Sequence, residues 1–128
     1  MKHLKLFEDF NIDIYEHGRC ELFALALHEE LGYEMYLFLD EEAEFDNYYG
    51  EALIHAYTKS PNDDLFDASG KVTLEDIENH GDWNVDWHRH ININIFQEYV
   101  NSGFFTPYTK SEIYDCRKYI SNNIEKYT

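Results

Sequence analysis

An α+β fold is predicted for this 128-residue chain by three features. A helix from Cys20 to Leu31 is apolar almost all round, short apolar and alternating runs between Met35 and Ala68 are separated by turn chemistry, and an amphipathic helix follows Pro107. The expected arrangement is a single domain, residues 1–128. In it the Cys-bearing helix packs on a small antiparallel sheet and the C-terminal amphipathic helix closes the core.

Each element has a local reason. Leu4, Phe7 and Phe10 are spaced as the apolar side of a short helix whose wet side is Lys2, Lys5, Glu8 and Asp9. From Cys20 onward, Leu22, Phe23, Leu25, Ala26, Leu27 and Leu31 cover most of a helix circumference, the pattern of a helix packed on more than one side, and Gly32 ends it. Met35 to Leu39 is an unbroken apolar run, read as a strand covered on both faces. Asp40 to Gly50 opens with four carboxylates in five positions and is expected to be an exposed connection forming a mobile rim. Ala52 to Lys59 alternates as a strand with His55 at its middle, and Pro61-Asn62-Asp63-Asp64 turns the chain into a hairpin with Leu65 to Ala68. Thr73 with Asp76 forms a capping box for a short helix through Glu78, which Gly81 is expected to stop. Between Trp83 and Phe96 a strand is expected first, then a helix ending near Gly103. Thr109 and Glu112 form a second capping box, after which Ile113, Cys116, Ile120, Ile124 and Tyr127 recur at helical spacing.

Composition narrows the function classes. Hydrophobic residues at 44% and aromatics at 17% exclude a disordered acidic tail. Ten Lys+Arg against 26 Asp+Glu give a net charge of −16, which repels phosphate backbones and anionic lipid, so no direct nucleic-acid or membrane partner is expected. Two cysteines, Cys20 and Cys116, are too few and too far apart for a disulfide scaffold or a zinc ribbon, which points to a reducing cytoplasm. Glu8 and Asp9 interrupt the start before any apolar stretch of signal-peptide length, and no uncharged apolar run is long enough to span a bilayer.

Cys20 opens a buried helix, His55 sits within a strand, and Asp67 lies on the following strand. A thiol at a helix N-terminus meets unpaired N–H groups and the positive end of the dipole, a neighbouring imidazole can take its proton, and an acid beyond that imidazole fixes its tautomer. The chain Gly18-Arg19-Cys20-Glu21-Leu22-Phe23-Ala24-Leu25-Ala26-Leu27, then Gly32, His55-Ala56-Tyr57 and Phe66-Asp67-Ala68-Ser69-Gly70, resembles the core of the transglutaminase-like branch of the papain-like cysteine enzymes over about residues 18–70. The resemblance implies a papain-like core with Cys20 as nucleophile, His55 as general base and acid, and Asp67 as the orienting acid. It also implies a peptidase, amidase, deamidase or transamidase that acts on a protein or peptide substrate without cofactor or metal. The acidic surface favours a basic substrate. No Gln precedes Cys20, the only one being Gln97, so the oxyanion donors are the Cys20 N–H and a second group for which Asn11 and His17 are candidates. Arg19 stands where some members carry an aromatic; His17 and Arg19 favour the thiolate, whereas Glu16 and Glu21 oppose it.

Other residues have plainer readings. Cys116 lies on the apolar stripe of the last helix and reads as core. His80, Asp82, Asp86, His88 and His90 alternate as metal ligands on one strand face would, but their spacing is loose, and Trp83, Trp87 and Arg89 suit a packed strand or the rim of a cleft beside Cys20. The alternative to catalysis is a non-catalytic acidic protein that mimics nucleic acid toward a basic nucleic-acid-binding partner, with Glu41, Glu42, Glu44 and Asp46 as its contact run.

Overall fold

A computed structural model describes residues 10–45, 48–81 and 86–128. Helix α1 spans Ile12–His17 and α2 spans Cys20–Leu31. They are followed by strands β1 (Glu34–Phe45), β2 (Tyr48–Lys59), β3 (Leu65–Asp67) and β4 (Gly70–Val72). Helix α3 (Leu74–Glu78), strand β5 (Trp87–Ile91), α4 (Ile93–Ser102), α5 (Lys110–Asn122) and a closing 3-10 turn (Ile124–Tyr127) complete the described chain. The five strands form one sheet in the order β4-β3-β2-β1-β5, with every neighbouring pair antiparallel. Among the described residues no helix is long and apolar enough to cross a membrane.

The α+β expectation and most elements are borne out. Helix α2 buries Leu22, Phe23, Leu25, Ala26 and Leu27, which is why its apolar residues run round the cylinder: one side meets the sheet, the other α5. It stops at Gly32, whose φ of 72° suits a residue without Cβ, and whose N–H bonds the His28 carbonyl. Met35, Leu37, Leu39, Ala56, Phe66 and Ile91 line the sheet face under α2, where burial of each large side chain is worth roughly 1.5–3 kcal/mol. The opposite face carries Phe38 and Tyr57 beneath Ile77 of α3, with Tyr36, Ile54, Leu65 and Val72 around them. Both capping boxes are formed, Thr73 with Asp76 on α3 and Thr109 with Glu112 on α5. Cys116 is core, as its stripe predicts, together with Ile120 and Tyr127. The buried Tyr127 hydroxyl donates to the Ala68 carbonyl at 2.8 Å and its own carbonyl accepts from Tyr33 at 2.7 Å, tying the C-terminal turn to the turn after β3.

Several expectations are corrected or fall elsewhere. The acidic stretch from Asp40 is a continuation of β1, paired with β2 out to Phe45↔Tyr48, because carboxylates are tolerated on the solvent-facing part of a two-stranded ribbon. Glu41 and Glu51 there share the Arg89 guanidinium of β5. Helix α3 runs through Glu78 as expected but is capped by Asn79 rather than stopped by Gly81, and the expected strand-then-helix passage changes over between Ile91 and Ile93. Ile124 falls beyond the helix, in the 3-10 turn, and is exposed, whereas Tyr127 of the same turn is buried. Of the predicted first helix, Leu4 and Phe7 lie outside the described residues, while the Phe10 ring stacks between Tyr15 and Tyr119.

Candidate active site

Three elements converge on one end of the β2 edge. The β2–β1 register places Phe38 opposite His55 and Leu39 opposite Leu53, so Ile54 is an extra residue, and this bulge lies directly beside His55. Bulges bend a strand and re-aim the side chains next to them. β3 pairs with β2 only at Thr58 and Lys59 before turning away. Among the described residues no strand pairs with that edge of β2 at His55, and Asp67, the last residue of β3, faces the imidazole.

There the His55 Nε2–H donates to Asp67 Oδ2 at 2.8 Å, and both side chains are buried, at 2% and 6% exposure. The second carboxylate oxygen, Oδ1, accepts the Ser69 N–H at 2.8 Å. Asp67 thus has both oxygens engaged, one by a fixed backbone donor and one by the ring. With the proton held on Nε2, His55 presents Nδ1 as its basic nitrogen.

Cys20 is the first residue of α2 and is 8% exposed. The Ala56 backbone N–H, one residue beyond His55, is directed at its thiol, as are the N–H groups of Cys20 and Glu21 at the helix start. These donors favour thiolate, but burial and the adjacent Glu21 charge outweigh them, and the thiol is pushed up to about 12. The resting group is a neutral thiol. Among the described residues no hydrogen bond joins Cys20 Sγ to the His55 ring; the thiol is placed against the main chain beside the base. Of the three predicted site residues, two are bonded directly and the third abuts the segment carrying one of them.

The charges flanking the thiol are organised differently from the sequence expectation. Arg19 turns from Cys20 to carboxylates, with Nη1 on Glu112 Oε2 at 2.8 Å and Nε at 3.5 Å from Glu21 Oε1, an ion contact too long to satisfy that buried nitrogen as a hydrogen bond. Burial holds the Glu21 carboxyl above its ordinary range, against the pull of Arg19. The Asn11 side-chain oxygen caps α1 by accepting the Asp13 N–H at 3.1 Å, and His17 ends α1. A cleft of about 370 Å³ flanks the helix start, walled by Gly18 and Glu21, by residues 51–53 of β2 and by residues 103–106.

The residues weighed as metal ligands are dispersed. His80 lies on His55, whereas His88 accepts the Tyr57 hydroxyl on Nδ1 at 2.7 Å and reaches Glu78 through Nε2 at 3.0 Å. His90 stacks on Tyr36, and Asp82 lies outside the described residues. No group of three or more His, Cys, Asp or Glu able to hold a metal occurs among the described residues. Trp87 is largely exposed on β5, and β1 separates that strand from β2; Trp83 lies outside the described residues. His80, which the sequence offers only as a metal ligand, instead has its ring parallel to His55 at 4.2 Å. No one-dimensional pattern links position 80 to position 55.

No family model, curated protein or solved structure matches the chain.

Proposed function

We propose that the chain is a cysteine hydrolase or acyltransferase of the transglutaminase-like, papain-like type, acting on amide bonds of a protein or peptide through Cys20, His55 and Asp67. The observation that carries this reading is the buried His55–Asp67 pair, which fixes the imidazole tautomer a general base needs beside a helix-opening thiol. Because burial keeps the thiol neutral at rest, attack and deprotonation are coupled: His55 Nδ1 takes the S–H proton as the S–C bond forms. The tetrahedral oxyanion is met by the N–H groups at the start of α2. The C–N bond then breaks, the amine leaves with the proton held by His55, and a thioester remains on Cys20. Water or an acceptor amine, deprotonated by His55, releases the acyl group and restores the thiol. A net charge of −16 steers a basic substrate toward the cleft at the helix start, and two free cysteines suit a reducing cytoplasm.

The test is acylation by p-nitrophenyl acetate followed by intact-mass analysis. A nitrophenolate burst stoichiometric with protein, with the acetyl group mapped to Cys20 and both lost in Cys20→Ala and His55→Ala, is expected. Absence of the burst and of a Cys20 adduct refutes the reading. The alternative, an acidic protein occupying the basic groove of a nucleic-acid-binding partner, is favoured by the exposed Glu41 and Glu42 on the ribbon and by a thiol held protonated. It requires binding that survives Cys20→Ala and weakens steeply with salt.

A further inference from the structure

We propose that His80 is a positioning residue for the candidate base, its ring laid flat on His55 so that the plane of the buried imidazole is fixed and solvent is kept from the His55–Asp67 bond. This rests on the preceding reading for its catalytic meaning. The geometry itself rests on the structure alone.

A single hydrogen bond from Nε2 to Asp67 leaves the His55 ring free to rock about the N–O axis. Face-to-face contact with a second flat ring removes that freedom. The His55 and His80 centroids are 4.2 Å apart and the planes differ by 5°. His55 is almost wholly buried while His80 is exposed, so His80 is the outer layer of the pair.

The loop that carries His80 is built to press it inward. Its N–H bonds the Ile77 carbonyl and the Gly81 N–H bonds the Glu78 carbonyl, both at 3.1 Å. A Cβ at Gly81 would lie 2.6 Å from Asp86 Oδ2, 2.9 Å from Ile54 Cδ1 and 3.0 Å from Phe38 Cε2. The absence of a Cβ lets Gly81 sit close against these side chains, two of which are the bulge residue Ile54 and Phe38, which pairs with His55.

The stack also couples charge. His80 faces His55 of β2, Asp67 of β3, His17 of α1 and Asp76 of α3, the helix before its loop. Burial and the charges of His55 and His17 lower its proton affinity, against Asp67 and Asp76. Two imidazolium rings at 4.2 Å repel, so the pair accepts one proton more readily than two. A neutral His80 leaves His55 free to carry the proton taken from Cys20.

The test uses histidine ring ¹⁵N and ¹H NMR on full-length protein. In wild type and in His80→Phe, which keeps a flat ring, the His55 Nε2–H signal is expected to exchange slowly with water. In His80→Ser its exchange is expected to quicken about tenfold or more, with amide spectra showing an intact fold. Separately, the His80 titration midpoint is expected to rise by about half a pH unit or more in His55→Gln. Equal exchange in wild type and His80→Ser overturns the positioning role, and an unmoved His80 midpoint overturns the coupling. Should His80→Ser not fold, His80→Asn, which keeps a polar side chain but lacks the full ring face, is read the same way. None of these readouts depends on Cys20, so failure of the acyl-enzyme reading, seen as labelling of Cys20 indifferent to His55→Ala, is distinguishable from failure of this one.

Discussion

Replacing Asp67 by Asn changes one atom in shape and reverses the proton on the base. In the native site Oδ1 accepts the Ser69 N–H and Oδ2 accepts the His55 Nε2–H, each at 2.8 Å. An amide has one acceptor and one donor to offer these two positions. The Ser69 N–H cannot change role, and facing it with an NH₂ would bury two opposed donors at a cost of roughly 1–3 kcal/mol. The amide oxygen therefore stays with Ser69, the NH₂ donates to Nε2, and the ring proton moves to Nδ1. There it blocks the nitrogen that must take the Cys20 proton. Stability should fall by only about 1 kcal/mol, the difference between a charge-assisted and a neutral hydrogen bond, or roughly 4 °C in Tm for a domain of this size. Burst acylation of Cys20 should fall by roughly 10²–10⁴. Histidine ¹⁵N shifts read the tautomer, and thermal denaturation with burst kinetics reads the rest. Retention of the proton on Nε2 together with an unchanged burst in Asp67→Asn refutes the reasoning.

Further expectations concern the frame around the site. Stability should fall as pH rises above about 9: the folded chain holds Cys20 and Cys116 protonated up to about 12, and burial raises Tyr15, Tyr57 and Tyr127 as well, so the unfolded chain releases these protons first. Each such group costs about 1.4 kcal/mol per pH unit once its unfolded form has ionised, and urea midpoints from pH 8 to 11 should show the decline. Arg19→Met removes the cation beside the buried Glu21 and should cost about 1–3 kcal/mol in urea unfolding, less than for a fully buried pair because the Arg19 side chain is 19% exposed. Adding Glu21→Gln to it should restore part of the loss. Thr109→Ala deletes the N-cap of α5 and should cost about 1 kcal/mol, read by the same unfolding curves.

How much of this was legible in the sequence depends on whether local chemistry or distant contact decides the element. The helix from Cys20 to Gly32, both capping boxes, the Pro61–Asp64 turn and the strand-then-helix passage to Gly103 are set by neighbours a few residues apart, and the structure has them where the pattern puts them. The acidic half of β1 was missed because carboxylate density reads as loop, while the partner that holds two of the ribbon carboxylates, Arg89, lies on a strand far along the chain. Gly81 has the local pattern of a helix stop, yet its small size serves close contact with Ile54, Phe38 and Asp86. At the site, the order of Cys20, His55 and Asp67 led to the bonded pair of His55 and Asp67. The burial that keeps Cys20 protonated and the His80 stack arise from packing between remote segments and leave no pattern in the sequence, whereas the Asn11 cap is a local contact with the Asp13 N–H.

The central claim is that His55 serves the Cys20 thiol as a base, and its most direct test is the rate of Cys20 alkylation by iodoacetamide between pH 5 and 9, followed by peptide mass mapping, in wild type and His55→Ala. A base-served thiol predicts wild type at least about tenfold faster than His55→Ala at neutral and mildly alkaline pH, the ratio closing at acid pH where an imidazole is protonated. Equal rates across the whole range, each rising only as an unassisted buried thiol ionises, would contradict it.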